Sequence, residues 1–142
     1  MFFDDDTKYV INDGYNIPGM KFNRYYIIIC GTRTFNDEGF MKENLDLLLK
    51  NLDKKKITIF SGLAKGPDTM AIKYALNNKL DLQKSPADWE RYGKMAGIMR
   101  NEVMAALATH CIAFWDYKST GTADMIQRAK KYELILRIIK CQ

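Results

Sequence analysis

At 142 residues the chain fits one domain and can bury a core without disulfides or metal. Apolar residues make up 47% and charged residues 27%, the balance of an ordinary soluble protein. No run approaches the roughly 18 unbroken apolar residues of a membrane span, so no membrane partner is expected.

The net charge of +5 favours anionic ligands, a nucleotide or a nucleic acid. The plainer alternative is a solvated helix end at Arg128, Lys130, Lys131, Arg137 and Lys140, plus a turn at Lys54-Lys55-Lys56. Cys30, Cys111 and Cys141 are widely spaced, no CxxC pair exists, and His110 is the single histidine. A zinc site is therefore not expected, no other metal or cofactor is called for, and a reducing cytoplasm is the expected location. Met1-Phe2-Phe3 leads into Asp4-Asp5-Asp6 without a basic n-region, so no secretory signal is expected.

In chain order, residues 1–24 are aromatic and rich in Asp, Asn and Gly. They are expected as an N-terminal extension, with Asn12-Asp13-Gly14 turning a small β-hairpin between Tyr9–Ile11 and Tyr15–Ile17. Residues 25–142 form the expected domain. Tyr25–Cys30 reads as a strand buried on both faces. Asn36 or Asp37 caps a helix whose apolar stripe is Met41, Leu45, Leu48, Leu49 and Leu52. Ile57–Phe60 is a second strand, and Pro67-Asp68 opens a helix bearing Ala71, Ile72, Ala75 and Leu76. Leu80–Leu82 reads as a weak strand. A helix over about Tyr92–Ala108 is apolar at Ala96, Met99, Val103, Met104 and Leu107. His110–Trp115 is a strand, Thr122–Tyr132 a helix and Leu134–Ile139 a strand. The alternation predicts an α/β, three-layer Rossmann-like fold with a parallel sheet of about five strands.

In such sheets ligands bind beyond the carboxyl ends of the strands, so the loops there carry the candidate site. Gly31, Thr32 and Arg33 combine close backbone approach, a hydroxyl and a forked phosphate donor; the alternative is a plain turn with a surface arginine. Ser61, Gly62, Ala64, Gly66 and Asp68 feed a helix N-terminus suited to anions, where Asp68 either caps the helix or meets a ribose hydroxyl. Ser119, Gly121 and Thr122 have the make-up of a phosphate cradle after Trp115, or of a helix N-cap. Asp88 and Trp89 precede the helix of Gly97, Arg100 and Asn101. Trp89 offers a surface for base stacking or a core contact, and Arg100 a ligand contact or a surface salt bridge.

Together "GTRTF", "SGLAKGPD", "ADWERYGKMAGIMRN" and "FWDYKSTGTADMI" resemble the YspA-type, cpYpsA-related branch of the SLOG superfamily. That superfamily also holds the LOG phosphoribohydrolases and the DNA-processing protein DprA. The resemblance runs from about Tyr25 to Ile139 and implies a Rossmann-like sheet with a nucleotide-derived ligand. In the LOG pattern Arg100 matches the helix arginine, and Gly121-Thr122 match a Gly-Thr followed three residues later by a catalytic Glu. That position is Met125, which can neither transfer a proton nor stabilise an oxocarbenium-like sugar. The expectation is a pocket that binds a nucleoside phosphate, cyclic nucleotide or ADP-ribose-like signal as a sensor or sequestering protein. The alternatives are LOG-like cleavage of an N-glycosidic bond, with Arg100 and with Asp68 or Asp88 replacing the lost carboxylate, and DprA-like binding of nucleic acid. LOG-like proteins pair through helices, which implies a homo-oligomer.

Overall fold

The computed structural model describes residues 9–11 and 22–141. Its elements are, in chain order, β1 (Tyr9–Ile11), β2 (Tyr25–Gly31), α1 (Glu38–Leu49), β3 (Ile57–Ser61), α2 (Pro67–Asn77), β4 (Asp81–Lys84), α3 (Trp89–Tyr92), α4 (Ala96–Leu107), β5 (His110–Trp115), α5 (Thr120–Lys131) and β6 (Ile135–Lys140). The strands pair in parallel in the order β1-β6-β5-β2-β3-β4. From β2 the chain moves outward through β3 and β4, then returns to the other side of β2 as β5. The strand order therefore reverses between β2 and β5, and this switch point sets the place of the cleft.

Two cores flank the sheet. Alternate β2 residues Ile27 and Ile29 pack with Leu45 and Leu48 of α1 and Ala71 and Ala75 of α2. Ile28 and Cys30, pointing the other way, pack with Met104 and Ala105 of α4 and Met125, Ile126 and Ala129 of α5. The central strands are apolar runs because both of their faces are covered. Together the sheet and its two helix layers make the three-layer α/β fold.

Several local expectations are corrected. Tyr9–Ile11 is a strand, but its partner is β6, in parallel; the hairpin turn and the arm at 15–17 lie outside the described residues. The helix expected from Tyr92 is broken, because Gly93 turns out of the helical region at φ 54° and a 3-10 turn, Gly93–Met95, separates α3 from α4. On α4 the buried residues are Ala96, Asn101, Met104 and Ala105, while Met99, Val103 and Leu107 are exposed. With Asn101 turned inward and Arg100 toward the Gly62 carbonyl, three of the five stripe residues face outward. On α2 Leu76 is exposed and Tyr74 takes its place inside, its hydroxyl donating to Asp46 at 2.8 Å. The edge strand β4 begins one residue later than expected and α5 begins two residues earlier, at Thr120.

Candidate functional site

A cleft of about 860 Å³ opens over the carboxyl ends of β2 and β5. It collects Gly31, Thr32 and Arg33 from the loop after β2, Ala64 and Asp68 from the loop after β3 and the start of α2, and Trp89, Gly97, Arg100 and Asn101 from α3 and α4. From the entry to α5 it takes Ser119, Gly121 and Thr122. Ser61, Gly62, Gly66, Asp88 and Trp115 lie outside its walls. Thr120 of the expected cradle and Met125, the position of the absent Glu, also line it, as do Cys30, Lys94, Asp116 and Asp124, which were not named as ligand contacts from the sequence.

Thr32 staples the two switch-point loops together. Its N–H donates to Phe114 O at 2.9 Å, and its Oγ1 accepts from Asp116 N–H at 3.0 Å and from the Ser119 hydroxyl at 3.2 Å. Asp116 tightens the same turn by accepting from the backbone N–H groups of Lys118 and Ser119, both at 2.8 Å. These bonds, Ser119's first, hold the Asp116 carboxyl below the ordinary carboxylate range. Because Ser119 is engaged with Thr32, it makes no side-chain cap on α5. The first-turn N–H groups of Thr120, Gly121 and Thr122, residues that line the cleft, thus lack a side-chain cap acceptor.

Arg100 lines the same cleft. Its Nη1 donates to Gly62 O at 2.6 Å and its Nε to Asn101 Oδ1 at 2.9 Å. The Asn101 amide in turn donates to Asp124 Oδ2 at 2.9 Å, which also accepts from Arg128 Nε at 3.0 Å. Arg100 is thus fixed by hydrogen bonds rather than by a surface salt bridge. Gly62, although outside the cleft wall, determines where the guanidinium sits: a Cβ there would overlap Arg100 Nη1 and stand 2.8 Å from Cζ. That close approach had no sequence signal beyond the glycine itself.

Asp68 is 4% exposed. Burial pushes its carboxyl up to about 6, against the opposing pull of Arg100 and of the backbone N–H groups of Ala64 and Gly62. It is not the cap of α2, whose N-cap residue is Gly66 at φ 80° with no side-chain cap bond. Ser61 donates its hydroxyl to Asp68 O at 2.6 Å and is spent inside the loop. Asp88 caps α3, accepting from Arg91 N–H at 3.1 Å. Trp115 turns its indole N–H back to Ser119 O at 3.0 Å. Met125 is 1% exposed and packs in the core beneath the cleft, presenting a thioether where the LOG pattern has a carboxylate.

The cleft therefore sets Arg33, Lys94, Arg100 and an uncapped helix end around one space with three carboxyls, of which Asp116 and Asp124 are engaged in hydrogen bonds and Asp68 is deeply buried. Among the described residues no His, Cys, Asp and Glu group has a metal-holding arrangement, and no helix is long and apolar enough to cross a membrane.

The chain matches a protein family described as YspA, cpYpsA-related SLOG over residues 25–92. It is 31% identical over 113 residues to the gene 61 protein of Mycobacterium phage D29, an alignment covering 74% of this chain and 88% of that protein. Its fold is similar to that of DNA processing protein A (DprA) from Streptococcus pneumoniae, with a TM-score of 0.65 at 20% identity. That similarity covers 84% of this chain but 51% of the other, so the chain spans about half the length of DprA.

Proposed function

We propose that this chain, which belongs to the YspA, cpYpsA-related SLOG family, holds the phosphate of a nucleotide-derived ligand in its switch-point cleft, as a sensor or sequestering protein. Family membership suggests nucleotide-related or nucleic-acid binding; the cleft chemistry supports the first. The observation that carries the proposal is the convergence of the uncapped first turn of α5 with Arg33 and Arg100. Exposed N–H groups, the positive helix end and guanidinium groups are together an anion site. Met125 supports holding over cutting, since the position that would carry a catalytic Glu is apolar and buried.

A thermal-shift panel of AMP, cyclic AMP, ADP-ribose and ribose 5-phosphate tests this. A ligand at 100 times its Kd adds about 2.7 kcal/mol of stability, so one or more compounds should raise the Tm at millimolar concentration, and Arg100→Ala should abolish the rise. No stabilisation of the wild type by any compound would overturn the proposal.

A second reading, hydrolysis of an N-glycosidic bond, is favoured by one observation. Asp68 combines a carboxyl raised to about 6 with the Arg100 charge, and both residues line the cleft. Incubation with AMP and chromatography for free adenine decides it; release that persists in Asp68→Asn would remove Asp68 from the role. Nucleic-acid binding ranks below both, because the basic C-terminal segment is largely engaged. Arg128 pairs with Glu102 and Asp124, Lys131 pairs with Glu102, and Arg137 is buried.

The reading includes a homo-oligomer in the cytoplasm. Met95, Met99, Val103 and Leu107, spaced four apart, form an exposed apolar stripe that a second copy could cover. Sedimentation of wild type against Val103→Glu tests it, with a monomeric wild type counting against pairing. The three cysteines are free and buried, which supports a reducing compartment.

A further inference from the structure

Gly97 has an unusual pair of neighbours. A Cβ built on it would lie 3.2 Å from Cη2 of Trp89 and 3.7 Å from Nη2 of Arg100. The missing side chain thus brings an indole edge and a guanidinium to either side of one helical position. Arg100 is committed through Nε and Nη1 to Asn101 and Gly62, so Nη2 is the nitrogen left on the Gly97 side. Trp89 is 52% exposed, yet it lines the cleft. It stands in α3, an element without a single buried residue. The indole rests over Gly97 of α4 and leaves the rest of its surface open at the cleft, where a flat partner fits against it.

The geometry points to Trp89 as the specificity determinant of the cleft: its indole stacks the base of a nucleotide whose phosphate is held at Arg100 and the first turn of α5. This rests on the phosphate reading above and adds to it the residue that recognises the base. Three features support the assignment. Gly97 sets the aromatic plane beside the anion-binding guanidinium, as the linked base and phosphate of one ligand require. Lys94, from the 3-10 turn that follows α3, lines the same rim and adds a cation beside the stacking surface. The cleft, at about 860 Å³, has room for base, sugar and phosphate together.

Stacking is indifferent to hydrogen-bonding pattern, because every base has a π-face. The site is thereby expected to distinguish bases from no base more strongly than one base from another.

Titration calorimetry of the full chain with AMP and with ribose 5-phosphate tests the inference, since the two differ by the base. Wild type is expected to bind AMP about tenfold or more tighter than ribose 5-phosphate. Trp89→Ala should bring AMP down to the ribose 5-phosphate level and leave ribose 5-phosphate unchanged, while Trp89→Phe keeps part of the preference. Gly97→Ala, whose new methyl would crowd the indole by a few tenths of an ångström, should lower AMP affinity in the same direction as Trp89→Ala but by less. Arg100→Ala should weaken both ligands.

Equal affinity of wild type for the two compounds, with both weakened by Arg100→Ala, would overturn the inference and leave the phosphate reading standing. Equal losses of both ligands in Trp89→Ala, or a changed oligomeric state of that variant by sedimentation, would mark Trp89 as a structural or interface residue and overturn it too. Failure of wild type to bind either compound would overturn the phosphate reading and this inference together.

Discussion

Arg100 Nη1 donates a 2.6 Å hydrogen bond to the carbonyl oxygen of Gly62, joining α4 to the loop after β3. The approach is so close that Gly62 cannot carry a side chain without moving the guanidinium. Two segments far apart in sequence are held by it, and the orientation of the main cation in the cleft follows from the bond.

Gly62→Ala is therefore expected to separate stability from binding. The new methyl meets the far end of a flexible side chain, which can swing aside, so the stability change should stay within about 1 kcal/mol. Ligand affinity should fall nearly as far as in Arg100→Ala, because the guanidinium leaves its position. Chemical denaturation beside calorimetry with one phosphate ligand checks both halves.

Asp68 makes a prediction about pH. Its carboxyl is raised to about 6 in the folded chain, from an ordinary value of 3.8. Between these values the native state holds a proton that the unfolded state has lost, so this group's contribution to stability is full below about 3.8 and lost as pH rises through 6. Asp68→Asn should accordingly be more stable than wild type at pH 7, by about 1 to 2 kcal/mol once the poorer acceptor is allowed for. The advantage should disappear near pH 4. Urea denaturation of both proteins across pH 4 to 7 measures it.

His110 works in the opposite direction. It is fully buried, with Phe22 at 5.1 Å and Tyr25 at 5.7 Å between centroids, and its Nε2 has no hydrogen-bond partner among the described residues. Burial, with Arg137 as a smaller cause, depresses its titration from 6.5 to about 4. Between those values the unfolded state binds the extra proton, so stability is lost as pH falls from 6.5 toward 4. The size is on the order of 3 kcal/mol. The Asp68 and His110 windows overlap with opposite sign, and in wild type they offset one another. His110→Phe should remove its half and leave stability rising as pH falls from 6 toward 5 in the same urea series; nearer pH 4 the lowered carboxyls of Glu102, Asp46 and Asp116 oppose the Asp68 gain.

Much of this layout was legible in the sequence, for physical reasons that differ by element. The buried strands at Tyr25 and His110 stand out because a strand covered on both faces must be apolar throughout. A cap at Asn36 or Asp37 was legible because either short polar side chain suits that task. The choice between them was not; it falls to Asp37, which accepts from Phe40 N–H at 3.0 Å. Gly93 was missed as a break in the helix, since only its backbone conformation carries that information. The roll of α4 was missed because an apolar stripe read by spacing assumes that apolar residues win the inward face; here Asn101 takes a place on it.

Within the cleft, residue types that suit phosphate were easy to find, while their division of labour was not. Ser61 and Trp115 belong chemically to such a site, but their donors are consumed within their own loops. Asp124 carried no motif of its own. It enters through the α4–α5 contact, where Asn101 and Arg128 converge on one carboxylate oxygen.

Met125 gives a direct check on the reading of the cleft floor. Met125→Leu, nearly volume-conserving, should cost less than about 1.5 kcal/mol. Met125→Glu buries a carboxylate in an apolar core and should cost about 2 to 4 kcal/mol at pH 7. The penalty should shrink toward pH 4 as the carboxyl takes up a proton. Thermal denaturation of the two variants at both pH values provides the comparison.

The central claim is that phosphate sits at the first turn of α5, facing Arg100. Titration of the isotopically labelled protein with AMP, followed through backbone amide resonances, tests this most directly. The account requires the largest, saturable shifts at Thr120, Gly121 and Thr122, and their loss in Arg100→Ala. Unmoved amides at these three residues, with shifts centred instead on the smaller hollow around Lys42, Lys50 and Lys54, would contradict it.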